Sequence, residues 1–403
     1  MSASERVAQR APGLLPAVRA SLFDPPPELL RISSEAPLSR LRYPDGHLGW
    51  LVTSHELASR VLAGPAFSAR MDLGRRPVER PADMFMRHPA PPGIFVGMDP
   101  PDHTRYRRLL AGHFTLRRIE RLRPRIEEIV SDRIEAVAEH GAPVDLVTEF
   151  ALPIPSMVIS ELLGVPYERR SRFQDTTAVL VSLSATPEQG RAALDDLMDL
   201  LQEMVVGKRR APTDDLLGDL ARTTDLADDE LAGIGSLLLF AGHETTANML
   251  ALGAFALLQH PDQLAALRRD DGLAANAVEE LLRYLTIVQF GVTRTALREV
   301  ELDGTIIGAG ETVTVSLSAA NRDPDKFSAA DRLELGRDAR RHLAFGYGVH
   351  QCLGQHLARL EMRIGYSALF RRFGSLRLAV EPDAVPMRSD MNFYGVHELP
   401  VAW

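Results

Sequence analysis

Between Asp228 and Pro261 the chain runs for about thirty residues without a proline, and at 1.5 Å per residue a helix over that stretch would reach roughly 45 Å. Within it, Leu237 to Leu258 is the longest apolar stretch of the sequence, yet His243, Glu244 and Asn248 interrupt it. A lipid-exposed span would tolerate those groups poorly, because hydrocarbon offers them no partner. The stretch therefore reads as a helix buried in protein, long enough to cross the molecule and to wall a central site.

Helical patterning begins upstream at Asp99, which can cap, with Pro100 in the first turn and Tyr106, Leu109 and Leu110 on the apolar side. The first hundred residues instead mix short strands such as Leu48–Val52 with a short helix near His55 to Leu62. A proline- and arginine-rich loop runs from Asp72 to Pro92; a long irregular segment in a compact protein is a functional loop or a disordered one. Strand signals return between Val288 and Val315 and again from Leu376 onward, where Gly, Asp and Pro punctuate β-branched runs. The expected class is mainly α with small β-sheets. No repeat or low-complexity linker divides the chain, so one domain over residues 1–403 is expected, with residues 1–40 as an N-terminal extension.

Hydrophobic residues at 45% and charged residues at 25% suffice for a sizeable core, and a net charge of −8 argues against a nucleic-acid binder. Lys208 and Lys326 are the only lysines, a bias that high-GC coding explains without function, so each arginine must argue for itself. One cysteine, Cys352, cannot form an internal disulfide, which fits a reducing cytosol. The first residues are polar and then proline-punctuated at Pro12, Pro16 and Pro25 to Pro27, unlike a signal peptide. A cytoplasmic protein is expected.

The lone cysteine stands in His342-Leu343-Ala344-Phe345-Gly346-Tyr347-Gly348-Val349-His350-Gln351-Cys352-Leu353-Gly354, followed by a helical pattern from Gln355 to Phe370. Gly346, Gly348 and Gly354 permit tight turns and close approach of backbone to a flat ligand. Amide groups aimed at the sulfur, and the positive end of the following helix, would favour thiolate and make it a metal ligand. A zinc site using Cys352 with His342, His350 or His356 is the other reading, although it supplies one thiolate only. The segment resembles the heme-binding signature of bacterial cytochromes P-450 of the class I, actinomycete-like kind, matching at Phe345, Gly346, Gly348, His350, Cys352 and Gly354.

Three further patterns extend the resemblance over roughly residues 40 to 403. Ala241-Gly242-His243-Glu244-Thr245-Thr246 is similar to the family's oxygen-activation segment: Ala241 and Gly242 would leave space over the iron, Thr245 would bond back to a helix carbonyl, and Glu244 with Thr245 would pass protons. Glu280-Leu281-Leu282-Arg283 places opposite charges three apart on one helix and resembles the family's Glu-x-x-Arg pair, with Arg332 matching the arginine that completes the network. His103 and Arg107 share a helix face, and by resemblance they join Arg294 and His350 as contacts for the heme propionates, while Arg105 and Arg108 face away.

The resemblance implies a triangular prism holding heme b (iron protoporphyrin IX) between the long helix and the helix after the cysteine loop, with Cys352 as axial ligand. It implies a monooxygenase that inserts one atom of O2 into a small apolar molecule by hydroxylation or epoxidation, in bacterial secondary metabolism on a macrolide, polyketide or terpenoid. Peroxide-driven oxidation or oxidative coupling on the same fold is the alternative, and a heme sensor a further one. Substrate contacts would come from Ile94, Phe95, Val96, Leu180, Phe240, Ile287, Val288, Phe290, Asn392, Phe393 and Tyr394, about half of which are expected to be plain core. No nicotinamide or flavin motif is evident, so a separate ferredoxin and its reductase would deliver electrons near Arg105, Arg108 or Arg359. A monomer without nucleic-acid or membrane partners is expected.

Overall fold

The computed structural model describes residues 12–79 and 89–403; the start of the N-terminal extension, residues 1–11, and the middle of the proline- and arginine-rich loop, residues 80–88, lie outside the described residues. Two units emerge, each assembled from separate stretches of chain: Met1–Ala90 with Val96–Asp99 and Glu279–Cys352, and Pro91–Phe95 with Pro100–Val278 and Leu353–Trp403.

The second unit is built around the long helix, Asp228–Gln259. Glu230 caps its first turn by accepting from Ala227 N at 2.8 Å, and His260 and Pro261 end it by starting the next helix. Apolar side chains surround it, so helices Pro153–Leu163, Pro187–Arg210 and Gln355–Arg372 all pack on it. Small residues set those distances: a Cβ on Gly253 would come within 2.0 Å of the Tyr366 hydroxyl oxygen. Helix Asp102–Ala111 starts later than Asp99, and Asp99 does not cap it; its carboxylate accepts instead from Ala69 N at 2.8 Å and Ser68 Oγ at 2.5 Å, inside the first unit. Among the described residues no helix is long and apolar enough to cross a membrane.

The first unit carries the main sheet, in the order Leu38–Arg42, Leu48–Val52, Thr312–Val315, Val292–Ala296, Phe67–Ser68. Leu48–Val52 runs parallel to Thr312–Val315 and the other pairs are antiparallel. One face of it buries Trp50, Val52, Val313 and Val315 against Leu57, Val61, Leu317 and Leu343. Leu343, at the start of the cysteine loop, is thus already part of this core.

Beside that core, in helix Ala274–Leu285, lies a fully buried ion pair. Arg283 Nε and Nη2 donate to Glu280 Oε2 and Oε1 at 2.7 and 2.8 Å. Its remaining donors reach the carbonyls of Asn321 at 2.9 Å, Ala330 at 2.8 Å and Arg332 at 2.9 Å. The arginine that completes the network is Arg337, not Arg332 as expected: Arg337 Nε donates to Glu280 Oε1 at 3.1 Å, whereas the Arg332 residue is exposed and contributes only its carbonyl. The turn between them presents the later arginine inward. Each buried charge has a fixed partner, the condition under which such a pair is tolerated.

Arg337→Ala is therefore expected to cost about 3–5 kcal/mol by leaving Glu280 with one cation fewer, and Arg332→Ala less than about 0.5 kcal/mol. Denaturant unfolding of the two variants beside the parent measures both.

Candidate functional site

The cysteine loop hangs from that network. The Asn321 carbonyl accepts from Arg283, and Asn321 Oδ1 accepts from Leu343 N at 2.7 Å, where the loop begins. Gly346 N then donates to Leu343 O at 2.8 Å and Cys352 N to Phe345 O at 2.8 Å, folding the loop back on itself. Gly346 and Gly348 have φ of 69° and 75°, which glycine alone adopts without strain. A Cβ on Gly348 would lie 2.8 Å from Ala63 Cα and Leu62 O, whereas one on Gly346 would meet nothing within 4 Å. Cys352 is half-buried and in no disulfide. His342 is committed elsewhere, accepting from Ala344 N at 3.0 Å through Nδ1 with Nε2 3.3 Å from Glu279 Oε2. Among the described residues no three His, Cys, Asp or Glu side chains are grouped for a metal ion.

In the same unit, strand alternation puts Arg294 on the face of Val292–Ala296 that packs Val292 and Ala296 into the core. Its Nη1 donates to Thr293 O at 2.8 Å, no carboxylate among the described residues comes within ion-pair distance, and burial pushes its guanidinium down to about 10. A desolvated cation in that position suits an anionic ligand. His350 is half-buried on the short turn Gly348–His350.

In the second unit His103 is buried with its ring 6.1 Å from that of Phe95, and Arg107 is half-buried one helical turn on. Arg105 is paired with Glu230, which also accepts from the Tyr106 hydroxyl at 2.7 Å. Arg108 is exposed, and Arg359 Nη1 donates to Gln355 Oε1 at 2.9 Å. Gly354 stands at the start of helix Gln355–Arg372.

The long helix, buried elsewhere along its middle, opens at Leu237, Phe240, Ala241 and Thr245, whose spacing of three and four places them on one face. Thr245 Oγ1 donates to Ala241 O at 2.8 Å. Gly242 is not small in order to leave open space, as expected; a Cβ there would come within 2.7 Å of Ile159 Cγ1, so the glycine serves close packing against helix Pro153–Leu163. Glu244 is buried and ion-paired with Arg388, and Asn248 Nδ2 donates to Glu244 Oε1 at 3.1 Å. His243 donates through Nδ1 to Leu239 O at 2.8 Å, and its Nε2 lies 3.0 Å from Thr177 Oγ1. Desolvation lowers its pKa, so the ring is neutral near pH 7.

The expected substrate contacts divide. Phe240, Leu180, Asn392 and Phe393 are half-buried in the second unit, with the Phe240 and Phe393 rings 6.5 Å apart and Asn392 N donating to Val181 O at 2.9 Å. Ile94 is also half-buried, while Phe95 and Tyr394 are core. In the first unit Ile287 and Phe290 are buried, Val288 packs on the sheet core and Val96 is exposed. Sequence reasoning missed Asn321, Arg337, Thr177 and Arg388, since no local spacing tells a polar side chain which distant one it will meet; it also missed Asn248, whose spacing of four from Glu244 on one helix was the available signal.

A family model described as cytochrome P450 matches residues 272–395. Cytochrome P450-SU2 of Streptomyces griseolus is 45% identical over 405 residues, covering 100% of each chain. The crystal structure of CYP105P1 in complex with filipin I superposes with a TM-score of 0.92 at 42% identity, over 98% of this chain and 99% of that one. The mycinamicin VIII C21 methyl hydroxylase MycCI from Micromonospora griseorubida, bound to mycinamicin VIII, gives a TM-score of 0.91 at 36% identity over 98% and 100%.

Replacing Gly346 by alanine is expected to cost about 1 kcal/mol, from its left-handed backbone alone. Gly348→Ala should be markedly worse, because its Cβ also meets backbone that has to move; chemical unfolding midpoints of the two variants test that order.

Proposed function

The chain belongs to the cytochrome P450 family, and from that we propose that it hydroxylates an apolar natural product of the macrolide, polyketide or terpenoid kind as a tailoring step. It is a monooxygenase, and its cofactor is heme, iron protoporphyrin IX. When bound, that group supplies a thiolate-ligated iron at which dioxygen is activated.

The residues present fit such a group. Arg294 offers a desolvated cation that, among the described residues, has no carboxylate within ion-pair distance, Gly346 leaves a Cβ-sized space open, and the long helix bares one face at Ala241 and Thr245. In the first unit Cys352 would supply the sulfur, Phe345 and Gly346 would bracket it, and Arg294 and His350 would take propionate carboxylates. In the second, His103 and Arg107 would take carboxylates, and Ala241 and Gly354 would allow close approach.

The bared face of the long helix carries the substrate reading. Leu237, Phe240, Leu180 and Phe393 would hold apolar surface and exclude water, and Asn392 would offer polar orientation. Thr245 Oγ1 donates to Ala241 O and so competes for that helix carbonyl, which would let a water enter at that turn and receive a proton. Glu244, one residue earlier, would resupply it. Of the solved neighbours described above, one holds filipin I and the other mycinamicin VIII, and the latter is called a C21 methyl hydroxylase, which supports hydroxylation. We assign electron supply to a separate ferredoxin and its reductase, with Arg108 and Arg359 as cationic contacts; Arg105 is omitted because Glu230 neutralises it.

Titration of the heme-loaded enzyme with a panel beginning with filipin I and mycinamicin VIII, read as a spectral shift and followed by product analysis, tests the substrate class; a panel that shifts only with small polar compounds refutes it. Thr245→Ala should keep the spectral shift of whichever compound binds while diverting most reducing equivalents to peroxide, and fully coupled turnover would count against the role given to Thr245. Arg294→Met should leave the heme-free chain as stable or more so, since it removes a desolvated charge, yet release heme faster to an apo-globin acceptor.

A further inference from the structure

The buried carboxylate of Glu244 is latched by a segment distant in sequence. Met387 to Val396 folds as a hairpin, with Met387 bridged to Val396 and Arg388 N donating to Gly395 O at 2.9 Å. Both residues at its base face the long helix. The Arg388 guanidinium pairs with Glu244 Oε1, and Gly395 lies so close that a Cβ there would come within 2.2 Å of Asn248 Oδ1, on the side chain that also holds Glu244.

The tip of the same hairpin is tied to helix Arg170–Val181: Asn392 N donates to Val181 O at 2.9 Å and Leu183 N to Asp390 O at 2.9 Å. That helix returns to the long helix through Thr177, whose hydroxyl meets His243 Nε2 beside Glu244. A closed ring of contacts results, running from Glu244 through Arg388, the hairpin tip, Val181, Thr177 and His243 back to Glu244. With His243 neutral, Arg388 supplies the positive charge that, among the described residues, is in direct contact with this carboxylate; Glu244 is buried and Arg388 half-buried.

We infer that Arg388 is a positioning residue for Glu244: it keeps that side chain ionised and turned toward the hairpin, so that displacement of the Asn392–Phe393 tip changes the acid's direction and charge. The inference rests on the proton-handling role proposed for Glu244. A substrate wedged between Phe240 and Phe393 would press on the tip and reach the acid through the hairpin, with no contact to Glu244 itself.

The heme-loaded enzyme is compared as parent, Arg388→Met, Arg388→Lys, Glu244→Gln and the Arg388→Met/Glu244→Gln double variant, by thermal unfolding and by the infrared band of a protonated carboxylic acid. Arg388→Met is expected to lower the midpoint by on the order of 5 °C and to add a carboxylic-acid band that the double variant lacks. The double variant should recover most of that loss, and Arg388→Lys should show no band. Additive losses with no new band would mean that Arg388 only shapes the hairpin, and would overturn the inference. Peroxide release by Glu244→Gln alone, with a surrogate ferredoxin and reductase, separates the two claims: unchanged coupling removes the proton role of Glu244 but leaves the ion-pair result to be judged by the band and the midpoints.

Discussion

Arg283 makes its hydrogen bonds where water cannot compete. It is fully buried, forked onto Glu280, and its other donors reach three carbonyls from two later stretches of chain. A guanidinium is suited to this because its donors are rigid, planar and always charged. Removing any one carbonyl would leave a buried N–H unsatisfied, so the chain at Asn321, Ala330 and Arg332 is held to one path. Asn321 passes that constraint to Leu343, and the loop that ends at Cys352 closes on Leu343 and Phe345. The geometry around the sulfur is thus inherited from an ion pair remote from it in sequence.

The long helix shows the opposite economy, in which one turn serves several purposes. Gly242 lets Ile159 pack, His243 reaches Thr177, Glu244 meets Arg388, and Thr245 bonds back to Ala241 on the bared face. Consecutive residues on a helix point about 100° apart, so four neighbours can address four different environments. Polar groups there are tolerated because each has found a partner, the ordinary requirement for a buried donor or acceptor.

Much of this was legible locally. The strand Leu48–Val52, the helix from His55 and the long helix from Asp228 that ends before Pro261 stand where the residue pattern placed them. The glycines of the cysteine loop, the back-bond of Thr245 and the pairing of Glu280 with Arg283 are also short-range, set by backbone freedom or by helical spacing. Asp99 illustrates the limit: its capping chemistry is real, but Ser68 and Ala69 compete for the same oxygens and take them.

What the sequence by itself determined is the set of elements and the chemistry each can present: a buried helix with a polar notch, a glycine-rich loop around one cysteine, and a mainly helical chain with small sheets. Tertiary structure alone decided which distant groups meet. Arg337 rather than Arg332 turns inward to Glu280, Val288 packs against the sheet core, and Arg388, distant in sequence, pairs with Glu244. The reason is range. Periodicity and capping act over one or two helical turns, whereas a buried charge accepts whichever partner the folded chain brings within hydrogen-bonding distance, and that depends on every turn between them.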